Sequence, residues 1–149
     1  RLQAALADAG IDYVFLGDTL GGKPSDPALR RDGAVDYERI ATTSSFSGGL
    51  DRAAREGAAR RSALMCAEKA PLECHRTVLV ARHLAARGHA VVHLMADGGT
   101  TAHAAIEERL LARHAPADDL LTATLDRDER LAIAYRAHAA HMLGVKVRR

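Results

Sequence analysis

Short apolar runs alternate with amphipathic stretches along much of the chain. Residues 63–66 and 90–94 contain runs too apolar for half-solvated strands, and the amphipathic stretch between them ends at Arg87-Gly88, where glycine is a helix stop signal. An earlier apolar run covers residues 12–16. Strand, helix and strand in this order are typical of a βαβ unit, whose strands are parallel. The pattern therefore predicts an α/β fold with a Rossmann-like parallel sheet of three strands, flanked by helices.

The rest of the pattern predicts further helices. The chain opens with RLQAALADAG, which places four apolar residues on one helix face before Gly10. More helices are expected from Asp36 to about Ala41, from Ser44 or Ser45 to Arg60 or Arg61, over 75–87, over 102–114 before Pro116, and from about Asp126 to Leu143. A long loop is expected over 17–33. We interpret residues 1–149 as one α/β domain, with 117–149 as a C-terminal helical extension.

Each predicted strand is followed by a loop of unusual composition. The three loops read GDTLGGKP, AEKAPLECHR and MADGGTTAH. Parallel strands would place all three at the carboxyl edge of the sheet, where open α/β sheets bind ligands. Glycines permit close backbone approach and helix N-termini favour anions, so a polar or anionic ligand is expected there. The residues predicted to bind it are Gly22, Lys23, Glu68, Arg76 and Asp97. Arg76 would hold a phosphate or carboxylate with its planar fork, and Glu68 or Asp97 would contact sugar or base.

The two cysteines of the chain lie on either side of most of this second loop, with Cys66 at the end of the predicted strand before it and Cys74 near the end of the loop. Cys74 lies near a predicted helix start, where the helix dipole favours thiolate, yet it shares a stripe with Val78 that predicts burial. A thiol or redox enzyme, in which Cys74 attacks, Cys66 resolves and His75 acts as base, is the enzyme alternative. A metal ion held by Cys66, Cys74 and a histidine such as His75 or His93 is a lesser alternative. No metal site is assigned, because the cysteine spacing fits neither Cys-x-x-Cys nor a zinc knuckle.

Composition narrows the classes of function. The 149 residues include 21 Lys and Arg against 19 Asp and Glu, which leaves a net charge of +2, and only 3% are aromatic. A nucleic-acid-associated protein needs basic residues gathered on one face, so that class is a lesser alternative. Two cysteines make no disulfide scaffold and no apolar run is long enough to span a membrane, so a cytoplasmic protein with reduced thiols and no membrane partner is expected. No cofactor is predicted, and the oligomeric state is left open.

The cysteine-containing loop resembles a known family. The chain is similar to the bacterial family known as domain of unknown function 488, through the block LMCAEKAPLECHR with LGGKP upstream and VVHLMADGGTTAH downstream. The resemblance runs from Arg1 to about Arg113. It implies a Rossmann-like α/β fold and a site around the paired cysteines and Cys-His-Arg, with no agreed reaction. His138 and His141 lie in an alanine-rich helix beyond it, and His114 is expected at the surface.

The chain departs from this family at its start. Members usually open with a strand ending in Thr-Ile-Gly-His-Ser, followed by a helix and a strand carrying Asp-Val-Arg, and this chain contains neither. We therefore expect a domain that lacks its first two strands. The function expected from the residues and the resemblance is binding of a nucleotide or other anionic ligand at the carboxyl edge of the sheet, with processing of that ligand as an extension.

Overall fold

The computed structural model describes residues 1–114, 122 and 124–145. The α-helices are α1 (Leu2–Asp8), α2 (Gly17–Leu20), α3 (Tyr37–Ala41), α4 (Ser44–Ala59), α5 (Arg82–Ala86), α6 (His103–His114) and α7 (Arg127–Met142). Short 3-10 helices cover Pro27–Leu29 and Pro71–Glu73, and a π-helix, Arg76–Ala81, runs directly into α5. The strands are β1 (Arg30–Arg31), β2 (Ala34–Val35), β3 (Val92–Leu94) and β4 (Thr100–Ala102).

Side-chain caps explain where several of the predicted helices begin. Asp36 accepts two backbone N–H groups at the start of α3, and the Thr43 hydroxyl accepts one at the start of α4. At α7, Asp126 and Glu129 each accept a backbone N–H of the other and form a capping box. The helices predicted after Gly10 thus begin and end close to their predicted positions. The predicted long loop over 17–33 was wrong in part, because it contains α2 and a 3-10 helix. The predicted stop at Pro116 lies outside the described residues.

Both β-sheets are antiparallel pairs. β1 pairs with β2, and β3 pairs with β4, so that His93 lies opposite Thr101. The described residues therefore combine helices with small sheets, but they contain no parallel sheet. Residues 12–16 and 63–66, which are predicted as parallel strands, lie in neither sheet. Part of the third predicted strand does form β3, with an antiparallel partner that the pattern did not indicate.

Local turns explain the two hairpins. Asp32 and Gly33 have φ angles of 52° and 81°, the left-handed geometry that joins β1 to β2 inside the predicted long loop. Gly98, with a φ of 84°, turns the chain between β3 and β4, where the Asp97 carboxylate accepts a backbone N–H at 2.9 Å. A hairpin closes only a few residues of chain, whereas parallel pairing requires a long crossover. β3 therefore pairs with β4, the antiparallel partner that lies closer to it in sequence.

The two unpaired segments keep apolar side chains in contact with solvent. In residues 12–16 the Phe15 side chain is 56% exposed, and in residues 63–66 Met65 is 61% exposed. Large apolar side chains in a packed parallel strand would be covered on both faces. Neither apolar segment is therefore part of the parallel sheet that the sequence pattern predicts.

The core lies around the π-helix. α7 packs against α6 and also contacts the π-helix, and the Arg82 guanidinium lies 4.7 Å from the centre of the Tyr135 ring. The buried core residues are Leu20, Tyr37, Ile40, Phe46, Leu50, Val78, Leu79, Val80, Leu84, Leu110, Leu131, Ala134 and Tyr135. Among the described residues, no helix has the length and apolar character needed to cross a membrane.

Candidate functional site

Four side chains that can bind a metal ion meet at and after the end of the extended segment 63–66. They are Cys66, Glu68, Cys74 and His75, and their sulfur, oxygen and nitrogen atoms all lie within 4.8 Å of one another. We call these four residues the Cys-Glu-Cys-His cluster. All four are among the predicted site residues, and the structure brings them together.

A tight turn brings the chain back to Cys66. Pro71 occupies the first position of the 3-10 helix, where its missing N–H leaves no unpaired group. The Thr77 hydroxyl donates to the carbonyl oxygen of Pro71 at 2.5 Å inside the core. Cys74 follows the turn in an extended conformation, immediately before His75 and the π-helix. π-Helical turns occur frequently at functional sites, because they alter where side chains point relative to a regular helix.

Contacts between its own members hold the cluster. The Cys66 thiol donates to Glu68 Oε2 at 2.6 Å, and its sulfur lies 3.5 Å from His75 Nδ1. Cys74 Sγ lies 3.5 Å from the same Glu68 oxygen and 3.9 Å from His75 Nδ1. One carboxylate oxygen and one imidazole nitrogen therefore bridge both sulfurs. Cys74 has no exposed surface, which confirms the burial predicted from its helix stripe.

Arg76 supports the cluster from its outer side. Its backbone N–H and its Nε donate to Cys74 Sγ at 3.4 and 3.1 Å. Its Nη1 donates to the carbonyl oxygen of Leu64 at 3.0 Å and its Nη2 to that of Glu68 at 2.9 Å. Two N–H donors of Arg76 therefore hold the Cys74 sulfur in place. Because protein groups occupy this guanidinium, the role of Arg76 as an anion ligand stays a prediction.

The members of the cluster differ in protonation. Burial, followed by a hydrogen bond to Glu68, raises the pKa of Cys66 to about 11, so this thiol keeps its proton at neutral pH. The hydrogen bond from Cys66 lowers the pKa of Glu68, which is therefore a carboxylate. Burial lowers the pKa of His75, which favours its neutral imidazole. The cluster thus has two groups ready to coordinate a cation and a thiol whose proton must leave first.

Gly22 and Lys23 lie against His75. A methyl group added at Gly22 would approach His75 Cγ to 2.5 Å, so glycine is the residue that leaves the imidazole in place. Lys23 is exposed, and its charge helps to lower the pKa of His75, after the larger effects of burial and Arg76. Asp97 lies elsewhere, in the β3–β4 turn, and no hydrogen bond between described residues joins it to the cluster. The structure therefore unites most of the predicted site and separates Asp97 from it.

Tyr37 is a neighbour of the cluster that sequence reasoning missed. Burial, and then electrostatic interactions with Cys74, Glu68 and Cys66, raise the pKa of its phenol. In sequence it only follows the helix cap Asp36, and tyrosine at a helix start carries no signal of a site. Its place beside the cluster depends on the packing of α3 against the π-helix.

The region that contains the cluster matches a known family. Residues 1–83 match the family described as Domain of unknown function DUF488, which confirms the resemblance through the cluster and the π-helix. The match ends before the predicted limit near Arg113, so β3, β4, α6 and α7 lie beyond it. Comparisons with curated proteins and with solved structures found no match.

Proposed function

Because the chain belongs to the family Domain of unknown function DUF488, whose description specifies no activity, we propose from its own geometry that it binds a divalent metal ion of the zinc type. The ligands would be the Cys-Glu-Cys-His cluster. One observation carries the proposal: two sulfurs, one imidazole nitrogen and one carboxylate oxygen converge within 4.8 Å. Zinc takes these ligand types in four-coordinate tetrahedral sites.

The separations between the ligand atoms support a tetrahedral site. Bonds of about 2.0–2.3 Å to zinc place neighbouring ligand atoms about 3.3–3.8 Å apart. The Cys66–His75 and Cys74–Glu68 separations are both 3.5 Å, and the Cys74–His75 separation is 3.9 Å. Cys66 and Glu68 are closer, at 2.6 Å, because the thiol proton joins them. Replacing that proton with a metal ion would lengthen this contact by about 1 Å.

Arg76 suits the role of an outer partner to the metal ligands. Hydrogen bonds from outside the ligand set orient ligands and tune a metal site, and Arg76 donates to Cys74 Sγ and to the carbonyl oxygen of Glu68. Two thiolates and a carboxylate carry three negative charges against the two positive charges of zinc. The guanidinium balances the remaining charge, which lowers the cost of holding the charged cluster partly buried.

Metal titration of the full chain tests the proposal. After removal of metal with a chelator, Co²⁺ should give a thiolate-to-cobalt charge-transfer band, which Zn²⁺ should displace at one ion per chain. Cys66→Ser and Glu68→Gln should each weaken zinc binding by at least about tenfold, because each removes a ligand. Glu73→Gln is the matched control, since Glu73 is an exposed carboxylate on the same turn and should leave the affinity unchanged.

Two results would refute the metal site. The first is a wild-type chain that gives no charge-transfer band with Co²⁺, and the second is a band of unchanged intensity in Cys66→Ser. Thermal unfolding provides an independent measurement, because a ligand that binds only the folded state raises the melting temperature. Glu68→Gln should lose most of the zinc-dependent rise while unfolding cooperatively without metal.

An anionic ligand at the same place is a second candidate function. Lys23 and Arg76 favour it, because the positive charges of both act on His75. Neighbouring cations select phosphate groups, whether free or part of a nucleotide. Pyrophosphate and ATP should then raise the melting temperature of the wild-type chain, and Lys23→Gln should abolish the rise. Lys69→Gln replaces another exposed lysine and should keep it. An equal response in both variants would remove Lys23 from the site.

The thiol-enzyme alternative differs in the reactivity that it requires. Cys74 is fully buried, and burial raises the pKa of Cys66. Both thiols should therefore react with iodoacetamide at pH 7 more slowly than a free thiol of pKa about 8.5 until the chain unfolds. Rapid stoichiometric alkylation of Cys74 in the folded chain would favour a catalytic thiol instead. The nucleic-acid-associated alternative stays a prediction.

A further inference from the structure

Three histidines meet where α6 ends, beyond the residues that match the family. His114 is the last residue of α6, and His138 and His141 lie one turn apart on α7. The centre of the His114 ring is 5.0 Å from that of His138 and 6.3 Å from that of His141, and the last two are 6.4 Å apart. Packing of α7 against α6 thus gathers three imidazoles that are far apart in sequence.

The hydrogen bonds of His138 show which of its two ring nitrogens carries the lone pair. Its Nε2 lies 2.6 Å from the carbonyl oxygen of Leu72, which can only accept, so Nε2 carries the proton. Its Nδ1 is then the acceptor for His114 Nε2, which lies 2.9 Å away. Two ring nitrogens therefore face each other across a single proton. A metal ion can occupy that place when both nitrogens present lone pairs.

His138 already makes the outer hydrogen bond typical of a metal ligand. Metal-bound histidines usually donate their second ring N–H to a carboxylate or a backbone carbonyl, as His138 does to Leu72. The His138 side chain is 3% exposed, whereas His114 is half-buried and His141 is exposed. The group is thus anchored on its inner side and open to solvent on its outer side.

The two hydrogen-bonded histidines favour the form that binds metals. Burial lowers the pKa of His114, and His138, His141 and Arg113 lower it further. Burial also lowers the pKa of His138, with smaller contributions from His141 and Arg113. Neutral imidazole is the metal-binding form of histidine.

We propose that His114, His138 and His141 form a second, independent metal site for a borderline divalent ion such as Zn²⁺, Ni²⁺ or Cu²⁺. Imidazole ligands suit these ions, and three histidines leave one tetrahedral position for water. Around such an ion, the ring centres lie about 5 Å apart, so His141 has to approach the other two by about 1 Å. The proton on His114 Nε2 moves to its Nδ1, and coordination by three neutral rings therefore releases no proton.

Co²⁺ titration of the full chain distinguishes this site from the Cys-Glu-Cys-His cluster. The wild-type chain should bind one Co²⁺ without a thiolate charge-transfer band and without proton release. His114→Gln and His141→Gln should each weaken this binding by at least about tenfold, because each removes a ligand. Neither variant should change the charge-transfer band of the cluster. His89→Gln, which replaces an exposed histidine elsewhere, is the matched control and should keep both ions.

The outcomes separate the two proposals. Loss of the ion without a band in both His114→Gln and His141→Gln, with His89→Gln unaffected, supports the three-histidine site whether or not the cysteine cluster binds metal. Unchanged binding of that ion in both variants, or its absence from the wild-type chain, would overturn the site. Because His141 is exposed, His141→Gln should unfold at the wild-type temperature without metal, so that its loss of binding reports the ligand and not the fold.

Discussion

At the residue scale, the cluster depends on a residue that offers no ligand atom. Gly22 is buried against the imidazole of His75, and a Cβ there would lie 2.9 Å from Nδ1, the atom that faces both sulfurs. Gly22→Ala should therefore displace the ring and weaken zinc binding by roughly tenfold to a hundredfold, as loss of an outer partner does. Isothermal titration of the metal-free chain measures this change.

A second glycine provides the control for that substitution. A Cβ at Gly48, in the middle of α4, would meet no atom within 4 Å. Gly48→Ala should leave zinc affinity unchanged and stabilise the chain by about 0.5–1 kcal/mol, because alanine is the better helix former. Equal zinc affinities for Gly22→Ala and the wild-type chain would show that His75 is not held by this contact.

At the scale of elements, the two extended segments are the place where pattern and structure differ. The backbone N–H groups of residues 12–16 and 63–66 donate no hydrogen bond to any described residue. Their amides should therefore exchange with solvent at nearly the unprotected rate, because exchange follows the free energy of local opening. Hydrogen exchange read by mass spectrometry, with peptides from α4 as the protected reference, measures this.

Slow amide exchange in these segments would indicate a different strand arrangement. If the amides of 12–16 and 63–66 exchanged as slowly as those of α4, the segments would be paired strands in solution. The antiparallel β3–β4 hairpin would then be one part of a larger sheet, and the Rossmann-like arrangement predicted from the sequence would regain support. Rapid exchange in both segments would agree with their lack of backbone pairing in the structure.

At the scale of the whole molecule, a chain of hydrogen bonds joins β3, α6 and α7. His93 Nε2 lies 2.9 Å from His103 Nδ1, and His103 Nε2 lies 2.9 Å from the Tyr135 hydroxyl, which donates to Glu107 at 3.0 Å. Because Tyr135 donates to Glu107, His103 donates to Tyr135 and accepts from His93. His103 is therefore neutral in the folded chain, because its Nδ1 accepts a hydrogen bond and only its Nε2 carries a proton.

The histidines in this series of hydrogen bonds make the free energy of unfolding depend on pH. Burial, followed by electrostatic interactions with His103 and Arg76, lowers the pKa of His93 to about 4, and burial also lowers the pKa of His103. Unfolded histidines bind protons below a pKa of about 6.5, so the unfolded chain takes up more protons between about pH 4 and 6.5. The stability from these residues is present above about pH 6.5 and is lost as pH falls through that window. The loss for His93 should be about 1 kcal/mol by pH 5, after allowance for solvent screening of its exposed part.

Denaturant unfolding at several pH values tests this dependence. His93→Gln can still donate to His103 but cannot titrate, so its unfolding free energy should vary less between pH 5 and 7 than that of the wild-type chain. His89→Gln, at an exposed position, should keep the wild-type dependence. Identical pH profiles for His93→Gln and the wild-type chain would show that His93 does not carry the effect.

Features that depend on neighbouring residues could be predicted from the amino-acid sequence. Caps such as Asp36 and Asp126 act on N–H groups within one turn, and they placed α3 and α7 close to their observed starts. The apolar stripe through Cys74 and Val78 predicted their burial, although Cys74 lies before the π-helix in an extended conformation. The cysteine-containing region that the sequence singled out also contains all four residues of the Cys-Glu-Cys-His cluster.

Which groups from distant parts of the sequence lie together depends on the tertiary structure. Glu68 joins the two cysteines and His75 only because the turn at Pro71 folds the loop back, and the spacing of the cysteines alone did not suggest a four-ligand cluster. The three-histidine group depends on the packing of α7 against α6. The same is true of the strands. An apolar run predicts that a segment is buried, but it does not predict which strand pairs with it. Long-range contacts depend on the free energy of the whole packed chain, and short-range sequence patterns do not contain this information.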